Sequence, residues 1–289
     1  MLSACIVTYN PKAEILSEII NILNKKSMYI ILIDNNSSDK NFLNLFYNKT
    51  NALVALNNNI GLGGAYNLCC KISQDVRAEW VMFVDQDSIP LESLNLTEII
   101  EKLKYNSELY NKVAIVSINP DTATKLKQIN NDFYLAKYVV GSGMIVKTEI
   151  CNKHKFAEEL FLYSIDIEYS TRLRRMGYLV LAYREQGIRY KIGERTEGYR
   201  KFWSRTVTTT LSKVIHKDFS RYPYYSNPMR YYIMLRNNIY LIARRKIELS
   251  YSKYLPFFVL NMYERLGLKD TVKLTLRALK YGILGRLEE

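Results

Sequence analysis

Short apolar runs alternate with amphipathic stretches over the first hundred residues, and this alternation sets the expected architecture. Residues 2–8 are a nearly continuous apolar run and predict a buried strand. Tyr9-Asn10-Pro11 breaks the run, and residues 12–24 then repeat with helical period, placing Ile15, Ile19, Ile20 and Leu23 on one face. Residues 28–33, 52–56 and 80–84 predict three further strands, and a second helix is expected from Gly61 to about Val76. Strands and helices that alternate in this way build a parallel sheet covered on both faces. Later strands are expected at 112–118 and 138–147, the second interrupted by Gly141-Ser142-Gly143, a place for a bulge or for close approach of ligand to backbone. Residues 160–173 pass from an apolar run into a helix, with Asp166 near its start and Glu168 spaced to pair with Arg172.

Polar residues gather where these strands end. The run 80–84 gives way to Asp85-Gln86-Asp87-Ser88, and on an extended strand Asp85 and Asp87 project to one side with Gln86 opposite. Ligands of open α/β sheets bind beyond the carboxyl ends of the strands. Two carboxylates this close repel unless they share a proton or a cation, and a hard divalent ion bridging to phosphates, Mg²⁺ or Mn²⁺, relieves the repulsion. A strand-end turn with Asp87 as a cap is the other reading. The polar clusters 34–39 and 57–64 follow the second and third strands, so three such loops share one edge. Gly61-Leu62-Gly63-Gly64 is not a dinucleotide fingerprint, because Tyr66 stands where the third glycine belongs. Its glycines serve either a tight turn or close approach to a nucleotide sugar. Taken alone, Asp166 reads as a helix cap.

Composition narrows the class. The 289 residues are 48% hydrophobic with 12 Gly and 6 Pro, which excludes a disordered chain and allows a large core. The net charge of +13 is concentrated between Arg172 and Lys246, and it calls for an anionic partner: nucleic acid, a phosphate-bearing substrate or an acidic membrane surface. Cys5, Cys69, Cys70 and Cys151 lack metal-ligand spacing and are expected as reduced core thiols in a reducing compartment. With no secretory signal and no membrane-spanning run, a cytoplasmic location is expected, with peripheral contact at the inner face of the cell membrane. From about Tyr199 the chain becomes basic, tyrosine-rich and helical in period, which divides it into an α/β domain, 1–198, and a helical region, 199–289. That region is either a membrane-surface or partner-helix element, or a cap packed on the α/β domain.

In order along the chain, Val7-Thr8-Tyr9-Asn10, Ile33-Asp34-Asn35-Asn36-Ser37, Asn59-Ile60-Gly61 with Asn67, Asp85-Gln86-Asp87-Ser88, and Ser164-Ile165-Asp166-Ile167-Glu168 with Arg172 resemble the family-2 glycosyltransferases. These are inverting nucleotide-sugar enzymes of the GT-A fold. Asp-Gln-Asp-Ser, the Asn-Asn-Ser after the second strand and the segment 230–238 resemble the bacterial rhamnosyltransferase and galactofuranosyltransferase branch, which builds cell-surface polysaccharides. The resemblance implies a Rossmann-like, mostly parallel central sheet with helices on both faces, followed by the basic helical region. It implies transfer of a rhamnose-, galactofuranose- or galactose-type sugar from a UDP- or dTDP-linked donor to a glycan or polyprenyl-diphosphate-linked acceptor. Thr8, Tyr9, Asn10, Asp34 and Asn35 would line the base and ribose. Asn59, Gly61, Asn67, Asp85, Gln86, Asp87 and Arg172 would complete the donor site, Asp87 and Asp85 holding Mg²⁺ or Mn²⁺, and Asp166 would be the general base. A His before a glycine often completes the metal site in this branch. The matching position is Tyr190 in Arg189-Tyr190-Lys191-Ile192-Gly193, which implies weaker metal binding, another ligand, or a diphosphate held by Arg189, Lys191 or Arg195. Neither His154 nor His216 falls at that place.

Two rival readings stand beside this one. Charge and abundant tyrosine fit a nucleic-acid-binding protein but leave Asp85, Asp87 and Asp166 without a role, and the glycosyltransferase reading expects no nucleic acid. Tyr190 in place of histidine fits a catalytically weakened member kept as a scaffold. The oligomeric state is not written in the sequence.

Overall fold

Even and odd positions of the first strands face different helices, and this sorting builds the core. In the computed structural model, which describes residues 1–190, 195–215 and 218–287, β1 (Leu2–Thr8), α1 (Ala13–Lys25), β2 (Tyr29–Asp34), β3 (Ala52–Ala55), α2 (Gly61–Asp75) and β4 (Trp80–Asp85) follow one another. Ala4, Ile6, Ile30, Leu32, Trp80, Met82 and Val84 share one hydrophobic cluster with Leu16, Ile19, Ile20 and Leu23 of α1. Those four side chains are fully buried. Burying each stabilises by roughly 1.5–3 kcal/mol, which outweighs the ~1 kcal/mol forgone because Lys12 offers the helix no side-chain cap. On the opposite face Phe83 meets Tyr66 of α2, ring centroids 4.4 Å apart, and Phe156 bridges from Tyr66 to Tyr169.

The chain continues through β5 (Ile89–Pro90), α3 (Leu96–Lys104), α4 (Ser107–Lys112), β6 (Val113–Ser117), β7 (Lys125–Gln128), β8 (Phe133–Ala136), β9 (Met144–Lys147), α5 (Thr148–Lys153), α6 (Ile165–Arg175), β10 (Leu179–Tyr183) and β11 (Ile188–Arg189). The main sheet has the order β3-β2-β1-β4-β9-β6-β10-β8-β7. β3, β2, β1 and β4 are parallel neighbours. β9 runs against both β4 and β6, and β10 is parallel to β6, so the strands on either side of β9 share a direction. β8 and β7 close the far edge antiparallel, where exposed Lys125 and Lys127 suit an edge strand.

Several expectations are corrected here. The strand expected over 138–147 is only Met144–Lys147, because Gly143 has φ +80° and turns the chain into the sheet. β7, β8 and β10 were not foreseen: short apolar runs such as Leu179–Tyr183, directly after a helix, carry no period of their own. The cysteines are not separate thiols. Cys5 pairs with Cys69 and Cys70 with Cys151 in two disulfides, Cα atoms 6.0 Å apart in each. Neighbouring residues of a helix point about 100° apart, so Cys69 reaches β1 while Cys70 reaches α5.

The chain divides into two compact units, Met1–Tyr190 and Lys191–Glu289. The second holds the antiparallel pair β12 (Arg195–Gly198) and β13 (Arg221–Tyr224), then α7 (Phe202–Ile215), α8 (Met229–Ala243), α9 (Leu255–Leu266) and α10 (Leu268–Leu284). Its core is largely tyrosine: Tyr199, Tyr222, Tyr225, Tyr231 and Tyr232 pack with Leu235, Ile239, Met262 and Ala278. Buried phenols need partners. Tyr199 donates to Asn261 Oδ1 at 2.5 Å and Tyr231 to the Pro223 carbonyl at 2.7 Å. These five tyrosines are therefore spent on packing. Among the described residues no helix is long and apolar enough to cross a membrane.

Candidate active site

The strand β4 ends at Asp85, and Gln86 and Asp87 form a turn closed by the Ser88 amide donating to the Asp85 carbonyl at 3.0 Å. The extended geometry expected for Asp85-Gln86-Asp87 is thus replaced by a turn. Gln86 is a clamp: its Oε1 accepts from the Tyr9 amide at 2.7 Å and its Nε2 donates to the Tyr9 carbonyl at 3.2 Å. The ends of β1 and β4 are thereby fixed side by side. Asp87 is exposed and Asp85 half-buried. Burial raises the Asp85 carboxyl to about 7, the negative charges of Asp87 and Asp166 push the same way, and the Tyr66 phenol opposes them.

Asp166 reaches this edge from the start of α6. Phe161, Tyr163 and Ser164, just before it, all have positive φ. Left-handed backbone costs about 1–2 kcal/mol per non-glycine residue, and such conformations concentrate at functional sites. Asp166 Oδ2 accepts from the Gly141 amide and Oδ1 from its neighbour Ile167, each at 2.9 Å. Burial nevertheless lifts the Asp166 carboxyl above its ordinary value, those amide bonds only offsetting it. Ser142 Oγ, beside Gly141, accepts from the Asp85 amide at 3.2 Å. One three-residue segment therefore holds both Asp85 and Asp166.

Tyr66 lies between them. Its side chain is 2% exposed, and burial, then the charges of Asp85 and Asp166 and the nearby Tyr190, hold its phenol well above the usual range. A Cβ on Gly141 would lie 3.0 Å from the Tyr66 hydroxyl, so that glycine is what lets the phenol in. Sequence reasoning noticed position 66 only as a missing glycine and passed over Ser142. The available signal was that glycines stand next to both, Gly63 and Gly64 in the first turn of α2 before Tyr66 and Gly141 and Gly143 around Ser142.

Other candidate residues are engaged within the protein. Asp34 and Thr8 are fully buried, and Asp34 accepts from Thr8 Oγ1 at 3.2 Å, from the Ser37 amide at 3.0 Å and from the Ser37 hydroxyl. Asn10 binds the same loop, donating through its amide to Ser37 Oγ and accepting from the Ser38 amide, both 2.8 Å. Asn35 donates to the Gly61 carbonyl at 3.3 Å and accepts from the Ile60 amide at 2.9 Å, while Asn59 accepts from the Gly61 amide at 2.9 Å. Asn67 joins α2 to residue 156 twice, donating to the Phe156 carbonyl at 3.1 Å and accepting from its amide at 2.8 Å. A Cβ would lie 2.8 Å from the Phe161 carbonyl oxygen at Gly61 and 2.7 Å from that of Ala157 at Gly63. These glycines admit the 157–161 backbone, and Gly61, at φ +75°, also makes the turn into α2. Arg172 pairs with Glu168 at 2.7 Å and donates to the Lys155 carbonyl at 2.7 Å. Tyr9, half exposed, stands at the rim. Arg189 pairs with Glu18 at 2.9 Å. Lys191, Ile192, Gly193, His216 and the side chain of Arg195 lie outside the described residues.

No group of three or more His, Cys, Asp or Glu set to hold a metal occurs among the described residues. Asp85 and Asp87 nevertheless fit a hard divalent ion, which is commonly held by one or two carboxylates together with substrate phosphates. The repulsion that raises Asp85 is what such an ion would relieve.

The architecture is that of the GT-A glycosyltransferases. S. aureus TarS 1–349 in complex with UDP superposes with a TM-score of 0.51 at 15% identity, covering 100% of this chain and 93% of that one. The complex with UDP-GlcNAc gives 0.51 at 14%, covering 98% and 90%. Against the longer TarS chain, also at 0.51, the match covers 98% of this chain but 55% of that one, so this protein spans just over half of it. The profile of Glycosyl transferase family 2 matches residues 3–168, and the chain belongs to that family. A dTDP-rhamnosyl transferase, RfbF of Shigella flexneri, is 24% identical over 267 residues, covering 86% of this chain and 82% of the relative.

Proposed function

We propose that this family-2 member is an inverting, metal-assisted glycosyltransferase of bacterial surface polysaccharide synthesis. It moves a rhamnose-, galactofuranose- or galactose-type sugar from a UDP- or dTDP-linked donor to a glycan or polyprenyl-diphosphate-linked acceptor at the cytoplasmic side of the membrane. The observation that carries the reading is the meeting of Asp85 and Asp87 from the end of β4 with Asp166 from the start of α6 at one sheet edge. The relative named for dTDP-rhamnosyl transfer makes dTDP-rhamnose the first donor to try.

In this reading Asp166 receives the proton of the acceptor hydroxyl as that oxygen attacks the anomeric carbon from the side opposite the diphosphate. Its raised pKa makes it a stronger base than an ordinary carboxylate, and the Gly141 amide keeps it aimed. Asp87 and Asp85 would hold Mg²⁺ or Mn²⁺, which when bound offsets charge on the departing diphosphate. Tyr9 and the clamp from Gln86 border the donor.

The test is a panel of UDP- and dTDP-sugars assayed for donor hydrolysis and transfer with Mn²⁺, with the anomeric configuration of the product read by NMR. Turnover of one donor with inversion, lost with chelator, is expected. Retention of configuration, or turnover indifferent to chelator, would overturn the mechanism, and no turnover with any donor would leave the scaffold reading in its place.

A further inference from the structure

We propose that the outward face of α10 is a docking surface for an anionic lipid bilayer. Leu268, Val272, Leu276, Leu279 and Ile283 are between 40% and 69% exposed. At about 100° per residue they fall within an arc of about 80°. Lys269, Lys273 and Lys280, all exposed, form a row along one border of that arc. The one acid of this helix, Asp270, lies further round, beyond the lysines. A different side of the helix is spent inside the unit: Thr271, Ala278 and Gly282 are buried, and a Cβ on Gly282 would meet Ile239 Cγ2 at 2.8 Å and the Arg236 carbonyl oxygen at 2.9 Å. Close packing on α8 therefore fixes which side faces outward. Contiguous exposed apolar side chains rimmed by charge mark an interaction surface.

Charge decides between the occupants. Val272, Leu276, Leu279 and Ile283 also have the four-three-four spacing of a coiled-coil seam, which a second copy of the chain could cover. The positions flanking that seam are Lys273 and Lys280 on one side and Thr275 and Gly282 on the other. A parallel pair would set lysine against threonine and glycine, and an antiparallel pair lysine against lysine. Neither brings a carboxylate to the lysines. Anionic headgroups do, with the leucine stripe sinking to the level of the acyl chains while the lysine stems reach up beside it. Each lysine near such a surface gains roughly fivefold in partition.

The proposal does not rest on glycosyl transfer, because the full chain is tested on vesicles without donor or acceptor. Co-sedimentation is expected with vesicles containing phosphatidylglycerol, much weaker with phosphatidylcholine alone, and reduced by salt. Leu276→Asp with Ile283→Asp should lower binding at least tenfold, and Lys269→Glu with Lys273→Glu and Lys280→Glu by a similar factor. All five positions are exposed, so the melting temperature should stay at the wild-type value, and any donor turnover should persist. Absence of binding by the wild type, or binding that these folded variants retain, would overturn the proposal. So would sedimentation equilibrium that finds a dimer dissociated by Leu276→Asp, which would assign the face to a second copy.

Discussion

The Gly141 amide donates to Asp166 Oδ2 at 2.9 Å, so the segment leading into β9 aims the carboxylate that α6 delivers. A side chain whose direction is fixed before substrate arrives loses no further freedom when it receives a proton. Asp166→Asn keeps the shape of the side chain and one of its two acceptor oxygens, so one amide contact stays and the other is lost, and it removes the proton acceptor. Transfer should fall by about 10²–10⁴ while nucleoside diphosphate affinity stays unchanged. Steady-state kinetics with calorimetric titration checks this, and wild-type turnover in the variant would remove Asp166 as the base.

Metal-free stability should depend on Asp85. Its carboxyl titrates from an ordinary value of 3.8 but is raised to about 7 in the folded chain. Between these values the folded state binds more protons than the unfolded, so stability falls as pH rises and the loss is complete above the folded value. Asp85→Asn, which has no charge to bury, should melt with the wild type in acid and above it in alkaline buffer. Thermal melts in chelator on both sides of neutrality measure the difference, and Mn²⁺ should shrink it by stabilising the wild type.

Tyr66→Phe removes the phenol that favours ionised Asp85. Mn²⁺ affinity near neutral pH should drop several-fold and recover in more alkaline buffer, with little change in melting temperature. Titration of Mn²⁺ by electron paramagnetic resonance reads this directly. A pH-independent loss would mean that the hydroxyl serves packing alone.

Gly63→Ala puts a methyl 2.7 Å from the Ala157 carbonyl oxygen, which is backbone and cannot swing aside. A cost of about 1–3 kcal/mol is expected from forced overpacking. Gly61→Ala should cost more, since φ there is +75° as well. Urea unfolding measures both, and wild-type midpoints would show that the loop 157–161 yields freely.

β1, β2 and β4 were legible because they are buried on both faces, so their apolar runs are continuous and end in polar loops. The amphipathic helix at α1 was legible from its period. What the sequence hid depends on distant partners. Nothing local distinguishes a glycine that welcomes a nucleotide from Gly63, which welcomes Ala157, and nothing in Cys69-Cys70 names Cys5 and Cys151. The turn at Gln86 follows from its bonds to Tyr9, which lies 77 positions earlier. Asp166 was found through its resemblance to a motif, whereas Tyr66 belonged to no motif and needed the fold.

Because β9 is inverted, the chain that runs out of β6 returns beside it, and the Ile118 amide donates to the Gly143 carbonyl at 2.9 Å where the two strands meet. The intervening stretch adds β8 and β7 to the far edge of the same sheet, beside β10. The far edge of the sheet is thereby wired to the carboxylates, because the returning strand brings Gly141 and Ser142 with it, and a change in the path of β7 and β8 is felt at Asp166 and Asp85.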